Sequence, residues 1–216
     1  MVSDLECVRA CAATYVLPAT LPVPASGAYV RITVAADGTT AIVAFRGSVT
    51  VLDWLRDFLF APVAVRAHPQ LGRCHAGFLN GAESIADAVA GAVDARPFVL
   101  TGHSLGGALA VGVAGLLICA GVAPDAVVTF GAPRFGMARF AALLEPYPVR
   151  QYVRGNDPVP VLPFDVPPEW AFLDTSDPPL RIGKAQADRF ACHHIDGYVA
   201  DVAAYLASRD QQETAA

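Results

Sequence analysis

The chain has 216 residues, of which 54% are hydrophobic and only 16% are charged, and its formal net charge at pH 7 is −5. This composition excludes a disordered chain, because disordered chains are poor in apolar residues and rich in charge. The negative balance also excludes a basic surface for nucleic acid. The length suits one large apolar core, so we expect a single domain over residues 1–216.

The N-terminal segment predicts a helix and not an export signal. Residues 4–16 have a helical pattern, and Asp4, Glu6 and Arg9 interrupt the apolar core that a signal peptide requires. The five cysteines form no zinc-binding pattern, so we expect no metal and no other cofactor. We therefore expect a cytoplasmic protein with reduced thiols, with leaderless export as the alternative.

The next part of the chain predicts a β-hairpin followed by helices. Two alternating, β-branched segments flank Asp37-Gly38, a dipeptide typical of hairpin turns. The predicted elements as far as residue 95 are strands 29–35 and 40–46 and helices 51–60 and 78–95.

From there the pattern alternates between strand and helix. The predicted strands are 97–102, 126–130 and 149–154, and the helices that follow them are an apolar helix after residue 104, 137–145 and 195–208. A proline-rich loop lies between the last strand and the last helix, at 163–179. Apolar strands that alternate with helices predict an α/β fold, with a mainly parallel sheet covered by helices on both faces.

One uncharged stretch, Leu105 to Ala123, reaches the length of a membrane span. Its repeated glycines and alanines suit close packing of a helix on a sheet. A helix at the centre of an α/β fold is apolar nearly all round. We therefore predict a buried helix here and no transmembrane segment.

A candidate nucleophile lies between the apolar strand 97–102 and this buried helix. Gly102, Ser104 and Gly106 form a Gly-x-Ser-x-Gly pattern. In such a unit the serine occupies a tight turn, which requires small residues two positions to each side. The helix behind it supplies free N–H groups and positive potential. The pattern in this context predicts that Ser104 is a nucleophile.

A serine nucleophile needs a base, and the α/β-hydrolase order places the histidine last in the chain. Only His193 and His194 come after Ser104 in the sequence, and both lie at the start of the last predicted helix. His103 adjoins Ser104 and should point away from it, in a structural hydrogen bond. The residues alone leave His193 and His194 as alternatives.

The orienting acid should lie at the carboxyl end of a strand, where sites collect in parallel sheets. Asp125 precedes its strand, so it belongs to the wrong edge. Asp157 follows strand 149–154 within a few residues, and Pro158 holds it extended. We predict Asp157 as the acid. Weaker alternatives lie in the proline-rich loop: Asp165, Asp174 and Asp177.

Seven motifs in one order resemble the class 3 lipase family, which includes fungal triacylglycerol lipases and feruloyl esterases. They are VAFRGS (43–48), DWLRDFLFAPV (53–63), CHAGF (74–78), TGHSLGGALA (101–110), TFGAPRFG (129–136), NDPVPVLP (156–163) and HHIDGY (193–198). The resemblance runs from about residue 41 to 206. It implies an α/β-hydrolase fold in which Ser104 is the nucleophile and Asp157 the acid.

The resemblance also assigns the remaining parts of the site. It implies that Ser48 and the backbone N–H of Leu105 stabilise the oxyanion. His193 lies five residues before Tyr198, as in bacterial members, and His194 is nearly in line with the apolar stripe of the last helix. We therefore predict His193 as the base. His75 matches a family position that is not catalytic.

The segment 49–60 has one apolar and one charged face, which fits either a mobile lid, as in the fungal enzymes, or a fixed surface helix.

The short interval between Asp157 and His193 puts long-chain triacylglycerol specificity in question. The predicted function is a serine carboxylester hydrolase that acts on acyl esters or lipids, and a lipid–water interface is one place where it could act. The alternatives are a phospholipase or acyltransferase with the same triad, and a hydrolase-like binding protein without turnover.

Overall fold

A computed structural model of the chain describes residues 2–21, 29–47, 62–162 and 178–214. The helices in this part are α1 (Asp4–Ala13), α2 (Ala76–Val93), α3 (Leu105–Cys119), α4 (Ala138–Leu144) and α5 (Ile195–Thr214). The strands are β1 (Val30–Val34), β2 (Ala41–Phe45), β3 (Pro62–Ala64), β4 (Arg73–His75), β5 (Phe98–His103), β6 (Ala126–Phe130), β7 (Val149–Arg154) and β8 (Leu180–Ile182). The predicted helix 51–60 and most of the proline-rich loop lie outside the described residues.

The main sheet has the strand order β1-β2-β5-β6-β7-β8. β1 and β2 are antiparallel, and every later neighbour pairs in parallel. The β1–β2 turn is stabilised by Asp37, whose Oδ1 accepts the backbone N–H groups of Thr39 and Thr40 at 2.9 and 2.8 Å. This architecture confirms the predicted α/β fold with its N-terminal hairpin.

Helices pack on both faces of this sheet. α2 and α3 bury their apolar residues against one face, in a core that includes Phe78, Leu100 and Val127. α1 and α5 contact each other on the opposite face, where Cys7, Cys11 and Tyr198 are buried. The predicted N-terminal helix therefore forms part of the core, although it ends at Ala13 rather than at residue 16.

The apolar segment after Ser104 forms α3, which is buried almost all round. It ends at Cys119, and Gly121 follows with a φ of 79°. A glycine just after a helix accepts this left-handed backbone without strain. None of the helices in the described ranges is long and apolar enough to cross a membrane.

Three short strands were not predicted. β3 and β4 form a separate two-stranded sheet, and β8 extends the main sheet at its β7 edge. Each has three residues, which is too short for a period-2 pattern to be recognised. β8 is important for the site, because it returns the chain to the sheet before the segment that contains His193.

Candidate active site

Ser104 occupies a strained turn between β5 and α3. Its backbone angles are φ 57° and ψ −131°, a conformation that residues other than glycine rarely adopt. A Cβ atom added to Gly102 would lie 2.1 Å from the carbonyl oxygen of Gly106, and one added to Gly106 would lie 2.1 Å from that of Phe45. Both glycines are therefore required for the turn, as the Gly-x-Ser-x-Gly pattern predicts.

The parallel strands bring the predicted residues to one edge of the sheet. Ser104 directly follows β5, and Asp157 follows β7 by three residues. His193 ends a short 3₁₀ helix, Arg189–His193, just before α5. Asp125 is exposed at the opposite edge, before β6, which agrees with its exclusion as the acid.

Asp157 and His193 form a buried pair. Nδ1 of His193 lies 2.8 Å from Oδ2 of Asp157, and the two residues are only 5% and 4% exposed. A carboxylate can only accept a hydrogen bond, so Nδ1 carries the proton of this pair, and in the neutral imidazole Nε2 is then the nitrogen with the lone pair. Within the described part of the chain, Nε2 of His193 and the buried Oγ of Ser104 have no hydrogen-bond partner.

Two further donors fix the Asp157 carboxylate. The backbone N–H of Val159 donates to Oδ1 at 2.9 Å, and the Tyr198 hydroxyl donates to Oδ2 at 2.7 Å. The Tyr198 oxygen in turn accepts a hydrogen bond from the backbone N–H of Arg154 at 3.1 Å. Burial and the charge of Asp157 raise the pKa of Tyr198 well above its usual value, so it remains a donor.

The sequence analysis used Tyr198 only to locate the base, and it assigned no role to the Tyr198 hydroxyl. The available signal was a tyrosine, rather than a phenylalanine, at a buried position of the last helix. A buried tyrosine hydroxyl usually has a hydrogen-bond partner.

Gly131 is a second residue that the sequence analysis did not single out. It follows β6 with a φ of 60°. A Cβ atom there would lie 2.8 Å from Oδ2 of Asp157, 2.9 Å from the Tyr198 oxygen and 3.1 Å from Nδ1 of His193. The first glycine of the TFGAPRFG motif therefore leaves the space in which the acid, the tyrosine and the histidine meet.

The other histidines have different positions. His194 is exposed, not packed along the helix stripe as expected, and its carbonyl accepts the N–H of Gly197 at 3.1 Å. Nδ1 of His75 accepts the Phe78 N–H at 3.4 Å at the start of α2. Burial lowers the pKa of His75 to about 4. His103 forms structural hydrogen bonds through both ring nitrogens, as predicted for it.

The predicted oxyanion donors are only partly within the described residues. Leu105 is the first residue of α3, and the first N–H groups of a helix have no partner within the helix. Ser48 and the candidate lid, 49–60, lie outside the described residues. Gly47, which precedes Ser48, is close to the nucleophile, because a Cβ atom on it would lie 3.0 Å from Cβ of Ser104.

The sequence matches a known enzyme family. The profile of the family described as Lipase (class 3) matches residues 42–166, which is more than half of the chain. A secreted mono- and diacylglycerol lipase from Fusarium solani is 38% identical over 131 residues, which cover 56% of this chain and 39% of the relative. The chain therefore spans about two fifths of the length of that relative.

Solved structures of lipases have a similar fold. The triacylglyceride lipase of Rhizomucor miehei aligns with a TM-score of 0.61 and 25% identity, covering 74% of this chain and 63% of the enzyme. A triacylglycerol lipase described as having a serine protease triad at its catalytic centre aligns with a TM-score of 0.65 over 83% of this chain and 78% of its own. Because the sequence identity is only 23%, this second similarity is evidence for the fold alone.

The comparisons correct one expectation. The Fusarium relative is named as a secreted protein, which contradicts the predicted cytoplasmic location. That prediction depended on charged residues near the N-terminus. Asp4 and Glu6 instead belong to α1, a helix of the core, so these charges report on the fold and not on location. Because the family profile matches residues 42–166, which is more than half of the chain, the chain belongs to the class 3 lipase family.

Proposed function

We propose that the chain is a serine carboxylester hydrolase with Ser104 as nucleophile, His193 as base and Asp157 as orienting acid. The observation that carries this proposal is the buried His193–Asp157 pair at 2.8 Å beside a strained serine turn. Two buried polar atoms without partners, Ser104 Oγ and His193 Nε2, are the atoms between which the proton would move. In an enzyme without substrate, this contact is often long and tightens when substrate binds.

The reaction follows from these positions. Oγ of Ser104 attacks the ester carbonyl while Nε2 of His193 takes its proton, and the same nitrogen then returns the proton to the leaving alcohol. Water hydrolyses the acyl-enzyme by the reverse sequence. Asp157 holds the Nδ1–H tautomer and stabilises the imidazolium. Its own position is fixed by the Val159 N–H and the Tyr198 hydroxyl.

The tetrahedral intermediate needs donors for its oxyanion. The backbone N–H of Leu105 is a candidate because it is the first residue of the helix that follows the nucleophile. Ser48 is the second candidate, and it adjoins Gly47, which lies against Ser104. Removal of one such donor costs about 10²–10³ in kcat in a serine hydrolase.

The substrate class proposed is an acyl ester of a lipid alcohol. The Fusarium relative is named for mono- and diacylglycerols and the Rhizomucor enzyme for triacylglycerides, so acylglycerols are the first class to test. We also propose that residues 1–216 act as one hydrolase domain. This is supported by α1 and α5, which come from opposite ends of the chain and pack together on one face of the sheet.

The experiment is hydrolysis by the wild type and Ser104→Ala. The substrates are p-nitrophenyl esters from acetate to palmitate, together with mono-, di- and triacylglycerols and a phospholipid. We expect Ser104→Ala to lose on the order of 10⁶ in kcat, the loss seen when a nucleophile is removed from a serine hydrolase. Circular dichroism should show an unchanged fold. Activity of Ser104→Ala within tenfold of the wild type would contradict the proposal.

A further inference from the structure

A chain of hydrogen bonds reaches the backbone of His193 from the other side of the site. Nε2 of His103 lies 2.8 Å from the carbonyl oxygen of His193, and Nδ1 of His103 lies 2.8 Å from the Tyr15 hydroxyl. His103 is only 4% exposed. None of these groups has a role in the proton transfer described above, so their buried connection to the base needs a different explanation.

The directions of the bonds in this chain follow from the groups themselves. A backbone carbonyl only accepts, so Nε2 of His103 must carry the proton. Nδ1 of the neutral ring is then the acceptor, and the Tyr15 hydroxyl is the donor. Burial, together with the nearby His193, holds the pKa of His103 well below its usual value, so the ring stays neutral and this tautomer is the populated one.

Tyr15 also contacts the turn that precedes Ser48. Its hydroxyl oxygen packs closely against the backbone of Gly47. A Cβ atom on Gly47 would lie 2.5 Å from that oxygen, so only glycine permits the contact. The guanidinium of Arg46 stacks at 5.6 Å from the centre of the Tyr15 ring and at 5.1 Å from that of Tyr29.

We propose that Tyr15 and His103 are positioning residues that tie the backbone of His193 to the Arg46–Gly47 turn. The inference rests on the proposed function, because it links the proposed base to the segment that precedes the proposed oxyanion donor Ser48. A base acts only within hydrogen-bond reach of its proton, and a small displacement of the reacting groups costs rate. Tyr15 and His103 contact neither the substrate nor the proton that moves between Ser104 and His193. Loss of their hydrogen bonds should therefore lower kcat and leave KM unchanged.

The first test compares Tyr15→Phe with Tyr29→Phe. Both remove one tyrosine hydroxyl and keep a ring beside Arg46, but the Tyr29 hydroxyl donates to the exposed carbonyl of Leu17 at 2.7 Å, outside the chain of bonds. We expect kcat to fall about tenfold in Tyr15→Phe, the worth of one lost hydrogen bond, with KM unchanged. Tyr29→Phe should match the wild type. If Tyr15→Phe also keeps its kcat, or changes only KM, the proposal is wrong.

The second test is rescue at position 103. In His103→Gln the amide nitrogen can take the place of Nε2 and still donate to the His193 carbonyl, whereas His103→Met has similar bulk and no donor. We expect kcat to fall about 10²-fold in His103→Met and about tenfold or less in His103→Gln. Equal losses in the two variants would overturn the proposal. If His103→Met fails to fold, the Tyr15→Phe comparison decides.

A third readout separates this proposal from the proposed function. Nitrogen-15 NMR of the imidazoles reports the tautomer of His103 whether or not the protein turns over any ester. The wild type should show the Nε2–H tautomer, which the His193 carbonyl requires. A wild-type protein that has this tautomer but hydrolyses nothing would refute the proposed function and keep the tie. An Nδ1–H tautomer in the wild type would refute the tie itself.

Discussion

Asp157 illustrates how single residues determine the chemistry of this site. Its two oxygens accept from a ring nitrogen, a hydroxyl and a backbone N–H, all between 2.7 and 2.9 Å. These donors fix the orientation of the carboxylate, and the carboxylate in turn fixes the proton of His193 on Nδ1. The lone pair that would receive the Ser104 proton depends on this one side chain.

Asp157→Asn is therefore expected to lower kcat by about 10⁴ while the fold persists, because the amide no longer enforces the Nδ1–H tautomer. Steady-state kinetics with a p-nitrophenyl ester measures the loss. Asp125→Asn is the matched control, since Asp125 is exposed at the opposite edge of the sheet, and it should keep wild-type activity. A fully active Asp157→Asn would exclude this residue as the acid.

At the scale of single residues, the sequence predicted positions in the chain better than contacts. The alternation of strands and helices predicted that Ser104 and Asp157 lie at one edge of the sheet, which is where the structure places them. The contacts of Tyr198 and Gly131 with Asp157 were missed, because each depends on a side-chain direction or a backbone angle that no linear pattern contains. The Tyr15–His103 bond joins residues 88 positions apart, which no local pattern reports.

Among the elements, α1 is attached to the sheet by an ion pair as well as by apolar packing. Asp4 accepts from Arg150 of β7 at 2.6 and 2.9 Å, and from the Tyr152 hydroxyl at 2.7 Å. The Asp4 side chain is 11% exposed. The helix start is further fixed by Ser3 and Glu6, which form a capping box.

Asp4→Ala should lower the free energy of unfolding by about 2 kcal/mol, because it removes hydrogen bonds to a charged group and leaves Arg150 without its partner. Urea denaturation followed by circular dichroism measures the change. The control is Glu213→Ala, which breaks the exposed pair between Arg209 and Glu213 and should leave the free energy of unfolding unchanged. Equal effects of the two substitutions would show that Asp4 does not anchor α1.

Element prediction succeeded where patterns were long and failed where they were short. The bounds of β6 and β7 agree with the predicted strands residue for residue, since each strand carries a clear β pattern between turn residues. β8 has only three residues after the proline-rich loop, so propensity contains too little information to find it. The predicted amphipathic helix 51–60 lies outside the described residues.

Two buried histidines outside the proposed triad, His75 and His103, make the stability of the protein depend on pH. Burial lowers the pKa of His75 to about 4, and burial together with His193 lowers that of His103 well below its usual value. Both side chains are neutral in the folded protein over a pH range in which they bind a proton in the unfolded chain. Folding therefore opposes protonation at both positions.

The free energy of unfolding should be constant above the unfolded histidine pKa of about 6.5 and fall below it. The expected slope is about 1.4 kcal/mol per pH unit for each of the two histidines, down to their folded pKa values. Urea denaturation at a series of pH values between about 7.5 and 4.5 measures this dependence. In His75→Gln the slope of the free energy of unfolding against pH should decrease by the contribution of one histidine. A flat profile in the wild type would contradict the account.

Catalysis by the proposed triad requires that Ser104 reacts through His193. The most direct measurement is labelling by an organophosphonate, with the adduct located by mass spectrometry and its rate compared among variants. We predict one adduct, on Ser104, whose formation slows by at least about 10³ in His193→Ala and is unchanged in His194→Ala. An adduct on another residue, or labelling that depends on His194 and not on His193, would contradict the account.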